Sequence, residues 1–260
     1  MGGCIDRPKR ASGKGKGKEP EPANHGKGLR ARMAAFSLNK VNGLVFKGGT
    51  ALAKAYFPRT WRLSEDLDFA FHGEDFESVA KSIESSLPEI IKNSGITFEI
   101  RSRFSNPEYL QLKIRYDAVL GRNWARIDTT KENVLDTIKN KQLSRTYSDY
   151  PNFNIKVESL EEIFAEKLRS LIARTKCRDY YDIWRLLSID FSKGKLRRLF
   201  KKKCELKGIQ LTDVSSLLPK DASETLTPYW GRELGRLVNP LPDLNIVLEE
   251  LRVKLRFLKL

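Results

Sequence analysis

Residues 46–69 read FKGGTALAKAYFPRTWRLSEDLDF, and the succession of element types within them decides the fold. A short apolar strand, Leu44-Val45-Phe46, runs into Gly48-Gly49-Thr50. Residues 51–57 (ALAKAYF) are good helix formers that stop before Pro58, and residues 64–70 return as a strand. In the closing Asp66-Leu67-Asp68-Phe69 the two-residue period of a strand sets both carboxylates on one face and Leu67 and Phe69 on the other. Like charges about 7 Å apart repel by about 2.4 kcal/mol at an effective dielectric of about 20. A lone D-x-D is most often a solvated strand end. Behind a glycine turn and a basic segment it reads instead as a pair neutralised by a cation. The glycines let backbone approach an anion closely, the helix behind them offers unpaired N–H groups, and Thr50 adds a hydroxyl. That combination suits a triphosphate.

Downstream, residues 74–93 predict a helix, with Phe76, Val79, Ile83, Leu87 and Ile90 at spacings of three and four. Residues 96–103 and 109–116 alternate as strands. Residues 124–128 (WARID) predict a third, paired with the second across the turn at Gly121. From residue 159 the pattern turns helical. Ser159-Leu160-Glu161-Glu162 is a capping box with Ser159 as N-cap and Glu162 at the third helical position, leading a helix over 160–174. Further helices are predicted over 178–188, 193–207, 228–237 and 243–259. Strands first and helices second indicate an α+β chain, with a sheet-based core over residues 41–157 and a helical C-terminal domain over residues 158–260. Residues 1–40 are rich in Gly, Lys and Pro and are expected to be a disordered basic tail, having little to bury against their ordering entropy.

The formal charge of the 260 residues is +15, of which residues 1–40 carry +7, so the body is only moderately basic. That balance favours an anionic partner, nucleic acid or nucleotide. The three scattered cysteines, Cys4, Cys177 and Cys204, form neither a disulfide framework nor a zinc-site spacing, and two histidines leave little room for a histidine-based triad. No apolar run reaches the roughly 18 residues needed to span a bilayer, and no secretory leader is recognisable. The expectation is a cytoplasmic protein without membrane contact.

Three further constellations bear on chemistry. Asp128 ends the WARID strand with Ile127 facing the other way. With Asp66 and Asp68 it completes a carboxylate set suited to one or two Mg²⁺ ions, although an Asp opening a Thr-Thr-Lys loop also has purely local uses. On the helical lobe, Lys167 and Arg174 lie two turns apart on one face, and Asp179 and Asp182 share a face behind Arg178. Periodicity alone reads these charges as an exposed, ion-paired helix surface. Last, KLRRLFKKK at residues 195–203 offers Arg197, Arg198, Lys201, Lys202 and Lys203 to a nucleic-acid backbone, or equally to solvent.

Taken together, F-K-G-G-T-A-L at residues 46–52, R-L-S-E-D-L-D-F at 62–69, E-K-L-x-x-L-x-x-R at 166–174 and R-D-Y-Y-D-I at 178–183 resemble the AbiEii/AbiGii family of nucleotidyltransferase toxins, relatives of the polymerase-β-type transferases. A looser match runs through Trp230 and P-D-L-N-I-V-L-E-E-L at 242–251, and the resemblance spans about residues 44–255 in order. It implies a polymerase-β-like core, a small mixed sheet with flanking helices, followed by the helical lobe. It implies Asp66 and Asp68 as metal ligands with Asp128 as the third, and Lys47, Gly48, Gly49, Thr50, Arg62 and Ser64 around the nucleotide. Lys167 would contact the triphosphate or the transferred phosphoryl, and Asp179 would be the general base, with Arg174, Arg178 and Asp182 as further candidates. The implied activity is transfer of a nucleotide from an NTP to an acceptor hydroxyl, a tRNA 3′ end in several members, with Mg²⁺ or Mn²⁺ as cofactor and a cognate antitoxin as partner. Transfer to a small molecule or a protein, and a catalytically idle RNA- or antitoxin-binding protein, stand as alternatives. The chain departs from the family ahead of F-K-G-G-T, where a Gly/Lys-rich stretch and A-R-M-A-A-F-S-L-N-K take the place of a helical segment.

Overall fold

The computed structural model describes residues 41–258 apart from 59, 65, 95–96, 119–120, 144–152 and 211–213. The tail expected over residues 1–40 lies outside the described residues. Seven described strands form one mixed sheet: β1 (Leu44–Lys47), β2 (Leu67–Phe71), β3 (Thr97–Asn106), β4 (Tyr109–Ala118), β5 (Gly121–Lys131), β6 (Lys139–Leu143) and β7 (Phe153–Val157), in the order β3-β4-β5-β2-β1-β7-β6. β2 runs parallel to β5 and β1 to β7, while the other neighbours are antiparallel. The predicted pairing of β4 with β5 is present and closes at Ala118 and Gly121. β6 and β7 were not expected. Yet F-N-I-K-V of β7 alternates, with Phe153, Ile155 and Val157 buried and Asn154 and Lys156 exposed, the signature of a half-buried strand.

Leu67, Phe69 and Phe71 of β2 pair with Phe46 and Leu44 of β1 on one side and with Ile127 of β5 on the other, giving the sheet one apolar face. The helix Phe76–Ser94 packs on it, its Phe76 ring 5.2 Å from that of Phe71. Each fully buried Leu or Phe is worth about 1.5–3 kcal/mol against exposure. A one-residue slip of β2 would send Asp66 and Asp68 into that core, so the register is firmly set.

The helix expected over 51–57 starts earlier, at the glycines themselves, as α1 (Gly48–Ala51), and continues as a π turn over Leu52–Tyr56. After α2 (Phe76–Ser94) the helical lobe comprises α3 (Leu160–Ala173), α4 (Cys177–Leu186), α5 (Lys193–Glu205), α6 (Ala222–Leu234) and α7 (Leu244–Lys254). α6 begins ahead of the predicted residue 228. Its buried face of Ala222, Leu226, Trp230 and Leu234 repeats every four residues, and Pro228 sits exposed on the opposite side. Ser159 caps α3 as expected, accepting from Glu162 N at 3.2 Å. The reciprocal half of the capping box is not made, because the Glu162 carboxylate accepts from Leu135 N (2.7 Å) and Asp136 N (2.9 Å) instead. It pins the segment after β5 to the lobe. The change from strands to helices falls between residues 157 and 160, while one buried apolar cluster continues across it from Phe46 and Ile127 to Leu168, Tyr180 and Leu248.

Candidate active site

The second face of the sheet carries a line of polar residues in register. Lys47 pairs with Asp68, Asp68 with Asp128, and Asp128 with Gln111. Partners in a ladder point the same way, so these four side chains cross β1, β2, β5 and β4 side by side. α3 and α5 cover this face over β1, where Lys47 meets Glu166. Over β5, β4 and β3 it is open to solvent. Between the covered and open parts lies a cleft of about 310 Å³. Lys47, Gly48, Gly49, Asp68 and Thr130 line it from the sheet, and Glu166, Lys167, Arg169, Ser170 and Arg174 from the lobe. The two sequence blocks that carry the chemistry therefore face each other across one cavity.

Both glycines are dictated by their neighbours. Gly48 has φ +74°, which side chains rarely adopt, and a Cβ there would stand 2.6 Å from Asp68 Oδ2. A Cβ on Gly49 would stand 2.8 Å from Arg62 Nη2. The buried Thr50 hydroxyl donates to the Asp66 carbonyl and shares a 2.8 Å hydrogen bond with Ser64 Oγ. It ties the glycine bend to the segment that delivers Asp66 and Asp68.

Burial and the neighbouring charge of Asp128 push the Asp68 carboxyl up to about 6, against the pull of Lys167 and Lys47. Asp128 is oriented by hydrogen bonds from the Tyr109 hydroxyl and from Gln111 Nε2 at 2.9 Å. Arg126, two residues earlier on the same face of β5, bridges Asp128 Oδ2 at 2.7 Å and Asp66 Oδ2 at 2.9 Å. A guanidinium thus stands beside the carboxylates where the sequence suggested a metal. Among the described residues no three His, Cys, Asp or Glu side chains converge as a ready cage. The donor set still fits a hard divalent ion. It is all oxygen, two carboxylates are adjacent in register, and the third is tied only to a half-exposed arginine.

The acids Asp179 and Asp182 of the helical lobe do not lie on an exposed surface, although Arg174 and Arg178 do. Asp179 is 1% exposed and Asp182 0%. Arg62 Nε and Nη2 each lie 2.7 Å from the Asp182 oxygens, Lys167 Nζ lies 3.0 Å from Asp182 and 2.9 Å from Asp179, and Arg174 Nε closes on Asp179 at 2.9 Å. This buried network holds Lys167 at the cleft wall. It also changes three expected roles. Asp182 has both oxygens engaged and none left for a nucleotide, and Arg62, 4% exposed, sits behind the glycine bend as its partner. Burial works to raise the Asp179 carboxyl, but Lys167 and Arg174 hold it below the usual range, which makes it an anchor and a poor general base.

Lys203 also lies elsewhere than its place in the basic run suggests. Expected on a nucleic-acid-binding face, it is 1% exposed, with its ammonium 2.8 Å from Glu166, 2.9 Å from Glu162 and 3.5 Å from Glu132. The helical period explains it, since Leu196, Leu199, Phe200 and Lys203 share the inner face of α5. Arg197, Arg198, Lys201 and Lys202 stay exposed, as does Arg178. Lys47 belongs to the same buried network, 2.6 Å from Glu132 and 3.2 Å from Glu166. The site residues that were not anticipated include Arg126, Tyr109, Gln111 and Arg169. The strand alternation in W-A-R-I-D and Y-L-Q-L places the first three on the Asp128 face, a signal present in the sequence. Arg169 lines the cleft, and its Nε has no hydrogen-bond partner among the described residues.

The model of one family, described as the nucleotidyl transferase AbiEii toxin of type IV toxin–antitoxin systems, matches residues 34–255. The chain belongs to the AbiEii nucleotidyltransferase toxin family. This AbiEii protein is similar in fold to MenT4, the nucleotidyltransferase toxin Rv2826c from Mycobacterium tuberculosis H37Rv, with a TM-score of 0.69 at 21% identity over 90% of this chain and 83% of that one. It is also similar to JHP933 from Helicobacter pylori, with a TM-score of 0.61 at 18% identity over 92% and 93% of the two chains. No curated protein matches the AbiEii chain in sequence. The family match bears out the resemblance and the activity class, nucleotidyl transfer, and the fold match bears out the α+β architecture. No helix among the described residues is long and apolar enough to cross a membrane.

Proposed function

We propose that this AbiEii toxin acts in the cytoplasm, moving a nucleotide from an NTP to the 3′ hydroxyl of an RNA, tRNA above all, and that a cognate antitoxin restrains it. Asp68 and Asp128, with Asp66, would hold Mg²⁺ or Mn²⁺. The observation that carries this reading is that Asp68, in register with Asp128, lines the cleft together with the Gly48–Gly49 bend, and that Lys167, Arg169 and Arg174 line it from the lobe. The bend admits phosphate oxygens to bare backbone, and the three cations supply the opposing charge. When bound, the divalent ion neutralises phosphate oxygens as charge shifts. The RNA hydroxyl oxygen bonds to the α-phosphorus, the bond to the α–β bridging oxygen breaks, pyrophosphate leaves, and the hydroxyl proton passes to solvent. Little covalent chemistry falls to the protein, so positioning and charge dominate. The exposed Arg197, Arg198, Lys201 and Lys202 would add sequence-independent contacts to the RNA backbone.

Incubation with each labelled NTP and total cellular RNA, with and without Mg²⁺, tests the reading. Label should enter RNA only with the metal, and Asp68→Asn should abolish it. Metal-independent labelling, or full transfer by the variant, refutes the assignment.

A further inference from the structure

The acceptor must reach Asp68 and Asp128, and the sheet shows by which way. The helical lobe and the cleft occupy the β1 side of these carboxylates, so the open side is the face formed by β5, β4 and β3. Two large aromatic side chains stand bare on it. Trp124 of β5 and Phe104 of β3 are each 57% exposed. Strand alternation puts Trp124 on the same face as Arg126 and Asp128, four residues before Asp128. Phe104 lies opposite Gln111, which itself holds Asp128, and its ring is 6.3 Å from that of Tyr109. Cations are interleaved with these rings. Lys113 pairs in register with Arg126 and Arg115 with Trp124, while Glu99 and Asp117, acidic residues of this face lying away from Asp128, are each held by arginine.

We propose that this face is the docking platform for the single-stranded 3′ end of the acceptor RNA, with Trp124 and Phe104 stacking on bases and Lys113 and Arg115 meeting the phosphates. Bare rings among cations are what unpaired nucleic acid recognises, because every base offers a flat face and every linkage a charge. Trp124 lies about 13 Å along β5 from Asp128, the length of about four stacked bases. The platform ends at the reactive carboxylates, so an RNA laid on it delivers its terminal hydroxyl there. This inference rests on the RNA-acceptor reading above.

Fluorescence anisotropy with a labelled single-stranded RNA and with a blunt RNA duplex, without NTP, tests it on the full chain. The Phe104→Ala/Trp124→Ala variant should weaken single-strand binding at least about tenfold and leave duplex binding unchanged. Lys113→Ala should lower the slope of log affinity against log salt by about 0.7 for the single strand. The Mg²⁺-dependent thermal shift with NTP should stay as in the unaltered protein. Unchanged single-strand affinity overturns the proposal and leaves the face to a protein partner. Equal loss on the duplex, or a lost NTP shift, overturns it as well. If the unaltered protein binds and labels no RNA, the acceptor reading and this inference fall together; if it labels RNA but the aromatic variant binds normally, only this inference falls.

Discussion

Replacing Lys203 by methionine separates a core role from a surface role within one basic run. The ammonium of Lys203 sits among four glutamates, at 2.8 Å from Glu166, 2.9 Å from Glu162, 3.5 Å from Glu132 and 4.0 Å from Glu158. Glu158 is 0% exposed, and burial beside Glu166 holds its carboxyl well above the usual range, so it weighs little as a charge. Among the described residues Glu162 is ion-paired with Lys203 alone, and Glu132 and Glu166 with both Lys203 and Lys47. Lys203→Met keeps the volume but leaves the buried Glu162 uncompensated and Glu132 and Glu166 to Lys47 alone, a loss of about 3–5 kcal/mol. For a chain of this size that lowers the Tm by about 6–20 °C. Lys201→Ala and Lys202→Ala, on the exposed side of the same helix, should stay within about 0.5 kcal/mol of the parent. The difference should shrink in acid. Burial alone would raise Glu132, but Lys47 and Lys203 hold it at about 2 against an ordinary 4.5. Its stabilisation is complete above the ordinary value and lost as pH falls towards the lower one, so the variant and the parent converge across that window. Urea unfolding followed by circular dichroism at neutral and acidic pH measures both effects. A Lys203→Met protein within about 1 kcal/mol of the parent at neutral pH, no worse than Lys201→Ala, would refute the buried-network account.

Three other substitutions probe the cleft. Asp68→Asn should cut nucleotide transfer by about 10²–10³-fold or more while raising the Tm, because an acid held at about 6 costs stability once ionised. The parent alone should lose that increment as pH climbs from the ordinary carboxylate range through about 6, and a thermal series without metal checks the sign. Gly48→Ala forces a side chain into φ +74° and against Asp68, and denaturant titration should show a loss of about 1–3 kcal/mol together with lost transfer. Arg169→Ala removes a cleft guanidinium with an unpartnered Nε, so NTP affinity by calorimetry should fall about tenfold with the melting curve unchanged.

Much of the sheet was legible because its elements are short and alternate. Asp66-Leu67-Asp68-Phe69 can bury only one side, and Leu67 and Phe69 duly lie in the core at 0% and 1% exposure. The same alternation marks β7 in F-N-I-K-V and sets Arg126 beside Asp128 in W-A-R-I-D. Both were readable. The carboxylates' meeting follows from strand-end positions only as an expectation, because Asp68 and Asp128 stand 60 positions apart and the parallel pairing of β2 with β5 is what brings them abreast.

What the chain encodes locally is therefore which groups share a face: the glycine bend, the acid pair, the helical spacing of Lys167 with the acids that follow. Tertiary packing alone decided which of those faces is dry. Helical period gives Lys203 a place on the Leu196–Phe200 side of α5 but says nothing of the four glutamates opposite it, contributed by α3 and by the chain segments on either side of β6 and β7. Asp179 and Asp182 read as surface charges until Arg62, from more than a hundred residues away, closes over one of them. Local spacing fixes direction, whereas burial depends on which distant element arrives to exclude water, and that information is shared among segments no window of sequence contains.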